Sequence, residues 1–255
     1  AFTSEVFSGS PAAVCFLDRW IDDSILQAIA AENNLSETAY LIRNEEGFDI
    51  RWFTPVTEVE LCGHATLASA FVLFSCKKWP ENCIQFRTRQ SGELVVVRQN
   101  NLLEMDFPAR PARAMRPPTE LIEALRVSNK EILGVFSSVE DLLVVLDSEK
   151  TIRDVQPDLV ALGRLPCRGI IITARGDRSD FVSRFFAPQL GIPEDPATGS
   201  SHCVLAPYWA GVLGKNDLHA FQLSKRGGEM FCSHKGERVK ISGRAAFYMG
   251  GMIII

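Results

Sequence analysis

Two stretches of the chain, 65–74 (ATLASAFVLF) and 203–213 (CVLAPYWAGVL), are apolar around almost their whole helical circumference. A helix with no polar face has to be enclosed by other elements. Most of the remainder reads as strand. Residues 48–52 alternate apolar and polar, and 94–97, 142–146, 169–173 and 181–186 are short β-branched or aromatic runs bounded by turn residues. The HKGE at 234–237 predicts a hairpin turn between strands at 229–233 and 238–241. A third helix, capped by Asp22 or Asp23, puts Ile21, Ile25, Ala28 and Ile29 on one face and should lie on a sheet. Many strands and two enclosed helices fit most simply as a sheet rolled around one central helix, made twice. Pro207 is expected to kink or shorten the second of these helices.

The doubling has a direct trace. Arg51-Trp52-Phe53-Thr54-Pro55 is echoed by Arg184-Phe185-Phe186-Ala187-Pro188, and each is followed by a glycine that opens an enclosed helix, Gly63 and Gly199. The arginines give an offset of 184 − 51 = 133 and the glycines 199 − 63 = 136, so the second copy carries a small insertion. Helix N-termini present unpaired N–H groups and partial positive charge, which suits an anionic ligand.

Length and composition narrow the class. The 255 residues suffice for two lobes, and 46% hydrophobic with 23% charged residues describes a globular chain. A proline-rich stretch, 107–118 (FPARPARAMRPP), reads as an extended connector between a first lobe, 1–106, and a second, 119–244. A net charge of −4 with no long Lys/Arg run excludes a broad pull toward nucleic acid, and no apolar run is long enough to span a membrane. Seven scattered cysteines without CxxC spacing read as reduced thiols, so the cytoplasm is the expected compartment. The chain starts at Ala1 without a signal pattern, and a few native residues, a first strand, are expected ahead of it.

Three places carry candidate chemistry. Glu37 precedes the apolar run Ala39-Tyr40-Leu41-Ile42; a solvated turn glutamate is the bland alternative, but burial there would raise its pKa toward neutrality and suit acid–base work. His64, directly after Gly63, stands at a helix mouth whose positive end should favour neutral imidazole. Cys62 and His64 lack a second ligand pair or an HExxH, so no metal is expected. Asp195, Gly199 and Ser200 form the second mouth; Asp-Pro then Thr-Gly-Ser also makes a good helix start, and the lack of GxxxxGKS favours a small carboxylate over a phosphate.

These segments, NLSETAY, RWFTP, ELCGHATLASA, SRFFAP and EDPATGSSHC, closely resemble the signatures of the PhzF-like phenazine-biosynthesis family. FSGSPAAV near the N-terminus and FQLSKRGGE at 221–229 extend the likeness over nearly the whole chain, which looks most like the animal phenazine biosynthesis-like domain-containing proteins. The resemblance implies an α+β, diaminopimelate-epimerase-like fold: two pseudo-symmetric lobes, each a barrel-like, mostly antiparallel sheet around a central helix, with the active site between them. It also implies that 245–255 returns to the first lobe, and that the protein is a homodimer. By the same resemblance Glu37, His64 and Asp195 are the catalytic residues, and Gly63, Gly199 and Ser200 bind substrate. The implied activity is a cofactor-independent isomerisation of a small carboxylate-bearing molecule by proton shuttling. One departure is Ser10, which stands where the family usually has Asn. Two rival readings are a two-thiol epimerase using Cys62 and Cys203, and a non-catalytic binding or interaction protein that keeps the fold.

Overall fold

In the computed structural model, which describes Ala1–Ile255, the chain divides into two compact units: Ala1–Leu103 with Gly243–Ile255, and Glu104–Ser242. Both are mixed α+β, and no helix is long and apolar enough to cross a membrane.

The first unit runs β1 (Ala12–Leu17), α1 (Asp23–Asn33), β2 (Glu37–Arg43), β3 (Phe48–Phe53), β4 (Glu58–Val59), α2 (Gly63–Ser75), β5 (Cys83–Arg87) and β6 (Glu93–Gln99). The strands lie in the order β1-β2-β3-β5-β6, with β4 paired to β3. β1 and β2 are parallel, β2 and β3 antiparallel, β3 and β5 parallel, β5 and β6 antiparallel. A parallel pair requires a crossover connection, and α1 and α2 are those crossovers. Of α2, His64 through Ala70 are buried without a break, longer than one turn, so no face of that segment is open. α2 packs on β1, β2 and β6. α1 differs in detail from expectation. Its buried positions are Leu26 and Ala30, with Ile21 and Ile29 partly covered and Ile25 exposed, so the apolar stripe is rotated by about one residue.

The chain continues through β7 (Leu102–Pro108), β8 (Arg113–Ala114), α3 (Thr119–Leu125), β9 (Ile132–Ser137), β10 (Asp141–Leu146), α4 (Glu149–Asp154), α5 (Leu159–Leu162), β11 (Gly169–Arg175), β12 (Phe181–Phe186), α6 (Gly199–Leu213), β13 (Asp217–Gln222), β14 (Gly228–Lys235) and β15 (Arg238–Gly243). β10 is parallel to β11, β11 antiparallel to β12, β12 parallel to β13, and β13 antiparallel to β14. The first unit's alternation is thus repeated, with α4 and α5 as one crossover and α6 as the other. α6 runs through Pro207 to Leu213 without being cut short, and Ser201–Ala206 are all buried. The short helices α3, α4 and α5 cover the sheet around a core that includes Leu121, Leu125, Ile152, Leu162, Ile170, Ile172 and Phe186.

The proline-rich stretch is fastened to the second unit. Phe107 and Pro108 end β7, the Ala109 and Arg110 amides donate to the carbonyls of Glu237 (2.8 Å) and Cys203 (2.9 Å), and β8 pairs with β9.

The echoed arginines do the same work in each unit. Arg51 on β3 holds Glu58 by two contacts of 2.7 Å, and Arg184 on β12 holds Glu194 at 2.7 and 3.0 Å. Each guanidinium also lies over the phenylalanine two residues on, Phe53 or Phe186. The glutamates are offset by 194 − 58 = 136, the same as the glycines. The three extra residues therefore fall between Arg184 and Glu194, the stretch that contains the 3-10 turn Pro188–Leu190.

Candidate active site

In the first unit the sheet register brings the candidate residues together. β2 and β3 are antiparallel with Thr38 opposite Phe53, so the start of β2 lies beside the end of β3. The chain leaves β3 there and shortly enters α2. Glu37, first residue of β2, thus meets His64, second residue of α2: Glu37 Oε2 and His64 Nε2 are 2.8 Å apart. Cys62, the residue just before α2, places its Sγ 3.6 Å from His64 Nδ1 and 3.9 Å from Nε2. All three side chains are buried, with Glu37 9% exposed, His64 7% and Cys62 6%. The Glu37–His64 contact has ion-pair distance but not hydrogen-bond alignment, and Oε2 has no aligned donor.

The protonation of this pair is the reverse of the expectation from sequence. Burial alone pushes the Glu37 carboxyl up, but the His64 charge and the close approach of His64 and Cys62 outweigh it, so its pKa lies below the ordinary 4.5. Burial opposes the His64 imidazolium too, yet Cys62 and the Glu37 carboxylate beside it hold its pKa well above the ordinary 6.5. Both directions favour a carboxylate facing an imidazolium over a protonated acid facing a neutral ring. The helix end that should have favoured neutral imidazole is overridden by a full charge at 2.8 Å. The Cys62 thiol is pushed up, first by burial.

In the second unit, Asp195, Gly199 and Ser200 lie at the entry to α6. Gly199 is the first helical residue and is buried; Asp195 and Ser200 are half-buried. Asp195 accepts the Thr198 hydroxyl, and its amide donates to the Phe185 carbonyl at 3.0 Å. Gln222, on β13 and fully buried, pins this loop from below. Its Nε2 donates to the Asp195 carbonyl (2.7 Å) and Thr198 Oγ1 (3.1 Å), and its Oε1 accepts the Thr198 amide (2.9 Å). Neither Cys62 before α2 nor Thr198 before α6 caps its helix with a side-chain hydrogen bond.

Arg168 and Gln222 are residues that motif reading did not single out as part of the site. Gln222 stands in the FQLSKRGGE segment, which was a signal to follow. Arg168 is visible only through the internal repeat. Ile170 lies opposite Phe186 as Thr38 lies opposite Phe53, so Gly169 occupies the place of Glu37, and Ser200 the place of His64. At Gly169 a Cβ would come within 2.3 Å of the Phe185 ring, so the functional side chain is carried one residue earlier. Arg168 donates from Nη1 to Ser200 Oγ at 3.2 Å. Its Nε and Nη2 are held by the buried carboxylate of Asp141, and its guanidinium lies over Phe185. Carboxylate facing imidazole in one unit is matched by guanidinium facing hydroxyl in the other. Arg168 also borders an open concavity of about 410 Å³ lined by Ser138, Glu140, Asp141 and Cys167.

Ser10 is fully buried in the first unit, and its hydroxyl has no hydrogen-bond partner.

Residues 1–251 match the PhzC–PhzF family, described as phenazine biosynthesis-like protein. A Pseudomonas aeruginosa protein named an uncharacterized isomerase is 51% identical, covering 99% of this chain and 96% of its own length. A mouse phenazine biosynthesis-like domain-containing protein is 39% identical over 99% of this chain and 96% of its own. Among solved structures, a putative phenazine biosynthesis PhzC/PhzF protein from Clostridium difficile superposes with a TM-score of 0.93 at 44% identity, covering 100% of this chain and 96% of that one. A predicted epimerase from Pseudomonas aeruginosa shares the fold at 22% identity, with a TM-score of 0.74 over 95% of this chain and 93% of its own.

Proposed function

This chain belongs to the PhzC–PhzF, phenazine biosynthesis-like family, and on that footing we propose that it is a cofactor-independent isomerase acting on a small carboxylate-bearing molecule. The observation that carries the reading is the buried Glu37–His64 pair, a carboxylate and an imidazole 2.8 Å apart.

An ionised, sheltered carboxylate is ready to act first as a base. Glu37 takes a proton from a carbon next to a carbonyl or unsaturated system, and the C–H electron pair moves into that system. The His64 imidazolium stabilises the negative charge that develops. Glu37, now protonated, returns the proton at another position of the same face, so the product is an isomer and the enzyme is restored. Asp195 hydrogen-bonds the ligand. Ser200 and the backbone amides at Gly63 and Gly199 hold its carboxylate, and Arg168 supports that hold through Ser200.

Magnitudes say why side chains are needed. A helix terminus contributes at most ~2 kcal/mol to a bound anion, so two supply ~4, about millimolar affinity. A hydrogen bond to a charged group adds roughly 1.5–3 kcal/mol, or about ten- to a hundredfold. Arg168 with Ser200 is the pair that supplies it in this reading.

The two-thiol alternative has less support. Burial pushes the Cys203 thiol up to about 12 and raises Cys62 as well, so neither is a ready thiolate. The remaining alternative, a binding protein without turnover, is separated by experiment. Small molecules that co-purify with the protein are identified by mass spectrometry and incubated with it in deuterated buffer. Enzyme-dependent deuterium uptake at carbon supports the isomerase; binding without uptake supports the non-catalytic reading.

A further inference from the structure

Cys62 is buried against the proposed acid–base pair yet has no part in the proton transfer described above. Its Sγ, a ring nitrogen of His64 and a carboxylate oxygen of Glu37 all lie within 4.8 Å of one another. A thiol, an imidazole and a carboxylate are the donor types of zinc sites that keep one position open. Sequence spacing shows only two of them; the third arrives from β2 through the strand register. Glu37 Oε2 is buried in this cluster without an aligned donor.

We propose that Cys62, His64 and Glu37 form a binding site for a thiophilic divalent cation of the zinc type. Zinc bonds of about 2.0–2.3 Å to N, O and S place ligand atoms roughly 3.3–3.6 Å apart in a tetrahedron. Here Nε2 lies 2.8 Å from Oε2 and 3.9 Å from Sγ, and all three ligand atoms lie within 4.8 Å of one another, so closing them onto one ion requires the side chains to rotate. The Cys62 thiol proton and the proton held between Glu37 and His64 pass to solvent as the metal takes their place. Water or a ligand carboxylate fills the fourth position. Zinc-type ions are favoured over magnesium or calcium because those prefer all-oxygen sets. Metal binding follows from these three side chains alone and does not depend on the isomerase reading.

The test uses the reduced full-length chain after chelator treatment and desalting. On titration with Co²⁺, one equivalent should bind and raise the near-ultraviolet thiolate-to-cobalt charge-transfer band. Cys62→Ser should abolish the band, and Glu37→Gln should weaken binding at least about tenfold. X-ray absorption at the zinc edge of the wild-type zinc form should report a single sulfur with nitrogen and oxygen ligands. Absence of the band in wild type, its persistence in a folded Cys62→Ser, or a zinc shell of two or more sulfurs would each overturn the proposal. The absorption measurement needs no variant, so misfolding of Cys62→Ser leaves the question decided.

Discussion

Glu37 and His64 stand 2.8 Å apart because an antiparallel register brings the first residue of β2 to the start of α2. Burial by itself would keep both groups neutral; pairing makes both charged. The two shifts have opposite signs and so define a pH window. A carboxyl with a lowered folded pKa contributes stability above its ordinary 4.5, lost as pH falls through the folded value. A histidine with a raised folded pKa contributes stability below its ordinary 6.5, lost as pH rises through the folded value. Both contributions are complete between about 4.5 and 6.5. Denaturant melts across pH should show the advantage of wild type over Glu37→Gln/His64→Gln largest in that window and smaller on either side.

Arg168 is expected to matter for ligand binding as well as for folding. Arg168→Met removes the donor to Ser200 and leaves the Asp141 carboxylate, 2% exposed, without its guanidinium. For a small carboxylate that raises the wild-type melting temperature, calorimetry should show Kd rising about ten- to a hundredfold in Arg168→Met. Ser200→Ala should add little on top of it, because the two act as one unit. Additive effects would place them in separate roles.

Gln222→Leu should destabilise the second unit by about 2–4 kcal/mol in equilibrium unfolding, since it leaves the Thr198 amide and the Asp195 carbonyl short of partners in a buried place. A loss below ~0.5 kcal/mol would mean that the Asp195 loop holds its form without this side chain.

The repeated arginines should not be equal. Arg184→Met strands the Ile152 and Val155 carbonyls as well as Glu194. Arg51 pairs with Glu58 and with the largely exposed Asp23, both of which can turn to water when it is lost. Arg184→Met should cost about 3–5 kcal/mol and Arg51→Met clearly less, measured by denaturant unfolding.

What could be read from sequence was whatever a local pattern determines. The circumferential apolarity of α2 and α6 marked them as enclosed, and the Arg-x-Phe echo marked the repeat. The short helices α3, α4 and α5 escaped because four to seven residues carry too little periodicity to register. The rotated stripe of α1 arises because the sheet beneath it, not its own pattern, decides which residues are covered. The charge states of Glu37 and His64 are not legible segment by segment for a related reason: each is shifted by a partner on another element. Arg168 belongs to no motif, and only the β11–β12 register shows that it stands one residue before Gly169, the counterpart of Glu37.

The central claim is that Glu37 moves the proton. Its most direct test is the rate of deuterium incorporation at carbon of a co-purifying ligand in heavy water, compared between wild type and Glu37→Gln. The amide keeps the shape and removes the exchangeable carboxylate, so the rate should fall by at least about 10²-fold while the ligand still binds. Incorporation by Glu37→Gln within about twofold of wild type, a barrier difference under ~0.5 kcal/mol, would contradict the mechanism.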